Sequence, residues 1–241
     1  MYAVGDVHGE SGCLDRLLTL IAADAEERFA RDGVHAQVIF LGDYVDRGAD
    51  SRGVLDRLIG LSRSSGERVS YRFLRGNHEA AMLDFLRQPT PDWLSFGGIE
   101  TLSSYGIRAS AGITSPARLA EWSVLLDRAL PVAHVEFLEG LETLIVVGDY
   151  AFVHAGIVPG VPLDRQKPDD LLWIREPFLS SPKWSGKKIV HGHTVVDAPE
   201  NRANRLGIDT GAYASGLLTA AVLAGGDVTF LQASAKVPQD A

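Results

Sequence analysis

Five short islands of acidic, imidazole and glycine residues constrain this chain more than any other feature. They are Gly5-Asp6-Val7-His8-Gly9, Gly42-Asp43-Tyr44-Val45-Asp46-Arg47-Gly48, Gly76-Asn77-His78-Glu79, His154-Ala155-Gly156 and Gly192-His193-Thr194. The first three each follow an apolar, β-rich run: Tyr2 to Val4, Val38 to Leu41 and Tyr71 to Leu74. Each therefore marks a buried strand running out into a loop, which is where open α/β sheets place their ligands. Carboxylates and imidazoles brought to one end of neighbouring strands make a mixed oxygen and nitrogen cage. Two carboxylates ~4 Å apart at an effective dielectric of ~20 repel by roughly 4 kcal/mol. Divalent cations remove that penalty, so the pattern reads as a metal site.

The strand and helix pattern fits such a site. The N-terminal half alternates strands at Tyr2–Val4, Val38–Leu41 and Val69–Leu74 with helices over Leu14–Ala30, Gly53–Leu61 and Glu79–Arg87, which implies parallel pairing. Ser11 reads as the N-cap of the first helix and Asp32-Gly33 as its stop. Helical segments over Trp93–Tyr105 and Pro116–Leu130 read as a cap or rim, about residues 89–131, on a single domain spanning 1–241. Six strands follow: Thr143–Val147, Ala151–His154, Lys188–His191, Arg205–Asp209, Leu217–Leu223 and Val228–Leu231, with tight turns at Gly148-Asp149 and Gly225-Gly226-Asp227. The expectation is an α/β fold of two packed mixed sheets flanked by helices, ending in a frayed tail from Ser234 to Ala241.

Composition narrows the function. A chain of 241 residues, 46% hydrophobic, can bury a sizeable core. A net charge of −8 and the lack of a long Lys/Arg cluster argue against a nucleic-acid partner. The single cysteine, Cys13, excludes an intrachain disulfide framework and reads as a small apolar residue on the first helix. No secretory signal or membrane span is apparent, so a cytoplasmic monomer is expected.

The islands also suggest individual roles. Asp6 and His8, one residue apart, would share a face of an extended segment and reach one cation. Asp43 is placed to bridge two cations, Asn77 offers a carbonyl oxygen, and His154 and His193 offer imidazole nitrogens. This thiolate-free set suits Mn, Fe or Zn, with manganese the first expectation. Arg47 and Arg175 are the candidates for gripping phosphate bidentately. His78 is the candidate general acid and Asp46 the group that stabilises its protonated form. Each residue has a plainer reading. Aspartates cap helices and turns, Arg47 could pair with Asp46 and Arg175 with Glu176, and His191 competes with His193. Capping does not require histidines, however, and the Gly-His-Thr pattern favours His193. His35 and His134 lie outside every island and read as surface or packing residues.

The order GDxHG, GDxxDRG, GNHE, HAG and GHT resembles the phosphoprotein phosphatase (PPP) family of serine/threonine protein phosphatases, particularly its short bacterial and phage-type members, from Gly5 to about Asp209. The resemblance implies a calcineurin-like metallophosphoesterase fold. It implies Asp6, His8 and Asp43 on one metal and Asp43, Asn77, His154 and His193 on the other. It also implies Arg47, Asn77 and Arg175 on the phosphate, with His78 and Asp46 as the acid pair. The expected activity is dinuclear-metal-dependent removal of phosphate from phosphoserine and phosphothreonine in proteins, by direct attack of a bridging hydroxide. Symmetrical hydrolysis of diadenosine tetraphosphate shares the motifs and is the alternative. A nuclease is disfavoured because position 195 is Val, where a GHxH ending would need histidine.

Overall fold

The computed structural model describes residues 1–66, 68–110, 112 and 115–234, so the expected tail from 235 onward lies outside the described residues. The strands are β1 (Tyr2–Val4), β2 (Ala36–Phe40), β3 (Val69–Phe73), β4 (Ile145–Val147), β5 (Tyr150–Phe152), β6 (Lys188–His191), β7 (Glu200–Asn201), β8 (Arg205–Gly207), β9 (Leu217–Ala224) and β10 (Asp227–Ser234). They form two five-stranded sheets, ordered β10-β9-β1-β2-β3 and β4-β5-β6-β8-β7. β1, β2 and β3 pair in parallel, as do β5, β6 and β8. The remaining pairings are antiparallel, so both sheets are mixed.

Alternation along the strands builds the layers. Tyr2 and Val4, Val38 and Phe40, and Leu218 and Ala220 turn toward the helices and join one core with Leu14 and Leu17. Ala3, Ile39 and Ala221 point the other way and pack with Ile145, Phe152, Val190 and Leu206 of the second sheet. A period of two thus gives each central strand one helix-facing and one sheet-facing side, the pattern of a sandwich covered by helices. On the far side of the second sheet, Ala151 and Ile189 pack with Leu171 and Phe178.

The helices are α1 (Ser11–Asp32), α2 (Ser51–Ser64), α3 (Asn77–Arg87), α4 (Ile99–Ser104), α5 (Pro116–Ala129), α6 (Val132–Glu139), α7 (Pro168–Trp173) and α8 (Ala212–Ser215). Ser11 is not the N-cap of α1. It is the first helical residue, and Glu10 occupies the cap without a side-chain bond. Gly33 closes that helix at φ 65°, donating its N–H to Phe29 at 2.8 Å, as the stop signal predicts. Cys13 is fully buried on α1.

The helical region does not end at residue 131. Pro131 caps the start of α6, its carbonyl accepting from the His134 N–H at 2.9 Å, so a helix follows it where sequence reading expects a break. Nor is the region only a rim, because α4 and α6 pack on α2 and α5 packs on α3. Among the described residues no helix is long and apolar enough to cross a membrane.

Candidate metal centre

Six parallel strands end on the same side. The islands follow directly: Gly5-Asp6 after β1, Gly42-Asp43 after β2, Gly76-Asn77 after β3, His154 after β5, Gly192-His193 after β6 and Asp209 after β8. Asp6, His8, Asp43, Asp46, Asn77, His78, His154 and His193 are all buried there.

Two groups of ligand atoms lie within 4.8 Å of one another: His8, Asp43 and His78, and Asp43, His154 and His193. Asp43 belongs to both. Its Oδ2 is 3.4 Å from His8 Nε2, and its Oδ1 is 3.4 Å from His154 Nε2. Asn77 Oδ1 lies 2.8 Å from both His154 Nε2 and His193 Nδ1, and those two nitrogens are 3.2 Å apart.

Tautomers decide what these short contacts mean. His154 Nδ1 is 2.9 Å from the Leu41 carbonyl, and His8 Nδ1 is 2.9 Å from the Val45 carbonyl. A carbonyl only accepts, so each Nδ1 carries the proton and each Nε2 turns a lone pair into the cage. Burial pushes His8 and His193 down to about 3 and lowers His154, which keeps the three rings neutral at neutral pH. Acceptors therefore face acceptors, with no proton between His154 Nε2 and the oxygens of Asn77 and Asp43. A divalent cation satisfies such a set, and the residues fit the oxygen and nitrogen chemistry of Mn, Fe or Zn.

Backbone strain marks the same residues. Among the described residues, the non-glycine positions with positive φ are His8 (46°), Asp43 (52°), Asp46 (73°), Arg47 (68°) and His193 (61°). Each costs about 1–3 kcal/mol and persists only where surrounding contacts enforce it. At His8 the enforcing contacts are two N–H groups, of Val7 and His8, that both donate to the Asp43 carbonyl at 3.1 and 2.8 Å. They bend the chain, so Asp6 and His8 do not share a face of an extended segment. His8 enters the cage directly. Asp6 lies behind it, with Oδ2 accepting from the His193 N–H at 2.9 Å and Oδ1 buried without a partner.

Glu79, absent from the expected site residues, holds this strained loop. Its carboxylate accepts from the backbone N–H groups of Asp43, Tyr44, Val45 and Gly76 at 2.9, 2.7, 3.2 and 2.8 Å. Burial raises its pKa to about 7, with the Asp43 charge adding to the rise. Gly76 must be glycine because a Cβ there would collide with Asp43. Asp43 in turn accepts from the His78 N–H at the start of α3, at 3.1 Å. Burial opposes its charge, but the surrounding imidazoles outweigh this and hold the carboxyl below its usual range. Glu79→Ala is expected to cost about 3–5 kcal/mol, since four buried donors lose their acceptor. Denaturant unfolding checks this; a loss under about 1 kcal/mol would remove Glu79 as the clamp.

His78 and Asp46 form a pair, with Nδ1 and Oδ2 2.7 Å apart. Burial alone would lower His78, yet Asp43 and Asp46 together raise it, so the ring can hold a proton. Asp46 also accepts from Trp93 Nε1 at 2.9 Å and from Thr101 Oγ1 at 2.6 Å. These partners come from the helical region, which sequence reading set aside as a rim. The Arg47 N–H donates to Gly97 at 3.2 Å in the same region, where Gly97 has φ 104° and leaves no room for a Cβ beside Arg47.

Arg47 does not pair with Asp46. Its Nη1 is 3.2 Å from His8 Nε2, and its guanidinium stacks 4.5 Å from the Tyr213 ring centroid. Arg175 does not pair with Glu176, which instead accepts from Ser180 at 2.5 Å. Arg175 is exposed, lies close enough to His154 and His193 to oppose their protonation, and makes no side-chain hydrogen bond or ion pair among the described residues. His191 faces away from the cage, with Nε2 3.4 Å from Arg205 and its ring 5.0 Å from Phe178. His134 is a buried packing residue between Tyr105 and Asp56.

Three aromatic rings wall the mouth. Phe96 lies 6.0 Å from His78 and 5.8 Å from Trp173, Trp173 lies 6.3 Å from His193, and Tyr213 lies 5.3 Å from His8. Trp173 and Tyr213 are both about two-fifths exposed, at 41% and 39%.

Comparison with known proteins agrees with the fold. Residues 1–216 match the family model described as calcineurin-like phosphoesterase. The chain is 31% identical over 229 residues to serine/threonine-protein phosphatase 1 of Salmonella typhimurium, covering 92% of this chain and 90% of that protein. It is 28% identical over 227 residues to serine/threonine-protein phosphatase 2 of the same organism, covering 91% and 90%. Among solved structures, a proposed diadenosine tetraphosphatase superposes with a TM-score of 0.65 at 22% identity, covering 98% of this chain and 94% of that one. A protein serine/threonine phosphatase from Saccharomyces cerevisiae gives 0.56 at 16%, covering 99% and 81%. At these identities the solved structures show a shared two-sheet architecture. The chain is a phosphatase-type hydrolase and belongs to the calcineurin-like phosphoesterase family.

Proposed function

We propose that this protein removes phosphate from phosphoserine and phosphothreonine side chains of proteins, using two divalent cations, manganese first among them. The observation that carries this reading is the His78–Asp46 pair beside the cage, 2.7 Å between Nδ1 and Oδ2, with His78 Nε2 3.8 Å from Asp43. Serine and threonine are poor leaving groups, and a proton donor at the cage edge is what their departure requires. The two Salmonella relatives, named serine/threonine-protein phosphatases and matched along about nine-tenths of their length, support the same reading.

Cations bound in the cage would supply an activated water and offset the charge of the phosphoryl oxygens. The chain's own groups do the rest. Arg47 and Arg175 hold phosphoryl oxygens, and Asn77 orients its carboxamide beside them. As the water oxygen bonds to phosphorus, the bond to the leaving oxygen breaks and that oxygen takes the proton of His78 Nε2. Asp46 stabilises the imidazolium before transfer and holds the ring in place, itself fixed by Trp93 and Thr101.

A second reading, hydrolysis of dinucleoside tetraphosphates, is favoured by the Phe96, Trp173 and Tyr213 rings at the mouth, which offer flat faces to a base. Turnover of a phosphoserine peptide and of diadenosine tetraphosphate, measured side by side with manganese, separates the two. The peptide is expected to win in kcat/KM by at least about tenfold, a difference of ~1.4 kcal/mol. The reverse order would replace the first reading by the second. Full activity after dialysis against a chelator would remove both.

A further inference from the structure

On the reading of His78 as proton donor, we infer that His134 is a positioning residue for the His78–Asp46 pair. It acts through a relay, Tyr105–His134–Asp56, that fixes the helix carrying Thr101. His134 lies outside every motif island, yet it is 1% exposed and both of its ring nitrogens are engaged. Nδ1 is 2.6 Å from Tyr105 Oη, and Nε2 is 2.9 Å from Asp56 Oδ1. A carboxylate only accepts, so in the neutral ring Nε2 carries the proton and Nδ1 takes the Tyr105 O–H. The relay therefore runs one way, from a buried tyrosine to an aspartate at the surface.

Two of the helices joined by the relay also reach the acid pair. Asp56 is on α2, whose first residue, Ser51, accepts from the Asp46 N–H at 3.0 Å and lies 2.9 Å from Thr101 Oγ1. Tyr105 is the C-terminal cap of α4, one turn beyond Thr101. His134, on α6, bridges the two. Trp93, Gly97, Thr101 and Tyr105 follow one another at four-residue intervals. The first and third donate to the Asp46 carboxylate, and the second accepts from the Arg47 N–H. The fourth is the one the relay holds. α4 is six residues long, too short to stay helical on its own bonds. Asp46 is strained at φ 73°, so outside contacts must fix its direction. With Thr101 Oγ1 2.6 Å from Asp46 Oδ1, any slip of α4 moves that contact directly. A buried polar relay is satisfied in only one register of its helices, where an apolar contact would tolerate a shift.

Turnover of a phosphoserine peptide and of nitrophenyl phosphate by the full chain with Mn(II) tests this, because only the peptide's leaving group needs a proton. Tyr105→Phe removes the hydroxyl and keeps the ring. It is expected to lower kcat on the peptide by about 3–10-fold, the worth of one hydrogen bond. KM should stay unchanged, and nitrophenyl phosphate should turn over at the wild-type rate. His134→Phe, which breaks both bonds, should give the same pattern at least as strongly. In a Thr101→Val background Tyr105→Phe should cost nothing further, because the contact it acts through is gone. Equal losses on both substrates, an additive loss in the double variant, or no loss at all would overturn the role of His134. Should the Tyr105 and His134 variants not fold, Asp56→Ala decides at the exposed end of the relay. The same dependence on leaving group supports the role there, and its absence overturns it. His78→Asn, measured in parallel, separates the two readings. If it alone shows the dependence, only the role of His134 falls; if neither variant shows it, the proton-donor reading falls as well.

Discussion

Asp43→Asn is expected to lose at least about a thousandfold in kcat/KM on any phosphoester, together with tight binding of both cations. Asp43 belongs to both ligand groups, one oxygen facing His8 and the other facing His154, each at 3.4 Å. Its charge is the term the two ions would share, and a carboxamide would turn an N–H₂ toward one of them. Cations in such sites contribute several kcal/mol to transition-state charge stabilisation, and ~4 kcal/mol corresponds to about three decades in rate. The fold should survive, since Glu79 clamps the loop through backbone N–H groups, not through the Asp43 side chain. Elemental analysis after gel filtration, alongside the rate, checks both halves. Two ions still tightly bound in Asp43→Asn would dismiss the bridge.

The second large effect is that of His78. His78→Asn should retain its metals and lose roughly 10²–10⁴ in turnover of phosphoserine peptides. The loss on nitrophenyl phosphate should be much smaller, because nitrophenolate departs without a proton. The comparison matters because His78 also falls in one of the two ligand groups, with His8 and Asp43. Its Nδ1 is committed to Asp46 at 2.7 Å and its Nε2 is 3.8 Å from Asp43, which leaves Nε2 free for a proton. A donor gives the leaving-group dependence with intact metal content; a ligand gives equal losses on both substrates with one ion missing. Thr101→Val offers a milder companion. Asp46 would lose one of its fixed donors, and the same leaving-group dependence should appear at smaller size.

Residue identity and spacing revealed much of this. The positions of β1, β2, β3 and β6, the alternation that splits Ala3 from Tyr2 and Val4, and the glycine stop at Gly33 follow from patterns only a few residues long. The cage members, and Asp6 with them, came from motif order, because imidazoles and a carboxamide after buried strands have few other uses. Four elements escaped, among them α7 and α8, which are only six and four residues long. β7 is two residues long, too short for a period to register, and α6 begins just after a proline that reads as an ending. Glu79 was visible in its motif but had no evident partner, since its partners are backbone N–H groups of a loop some 35 residues away in sequence. Trp93 and Thr101 carry no local signal for Asp46 at all.

The sequence by itself determined which atoms this protein can offer a cation and a phosphate, because donor chemistry belongs to the residue and travels with it. Only the tertiary structure decided which of those atoms meet. Whether His193 or His191 enters the cage, and whether Asp6 shares a face with His8, depend on strand order across two sheets and on left-handed turns held by distant carbonyls. Such contacts join residues far apart in sequence, as between Asp6 and His193, 187 positions apart. Their geometry is set by packing and loop closure, which no short window of residues encodes.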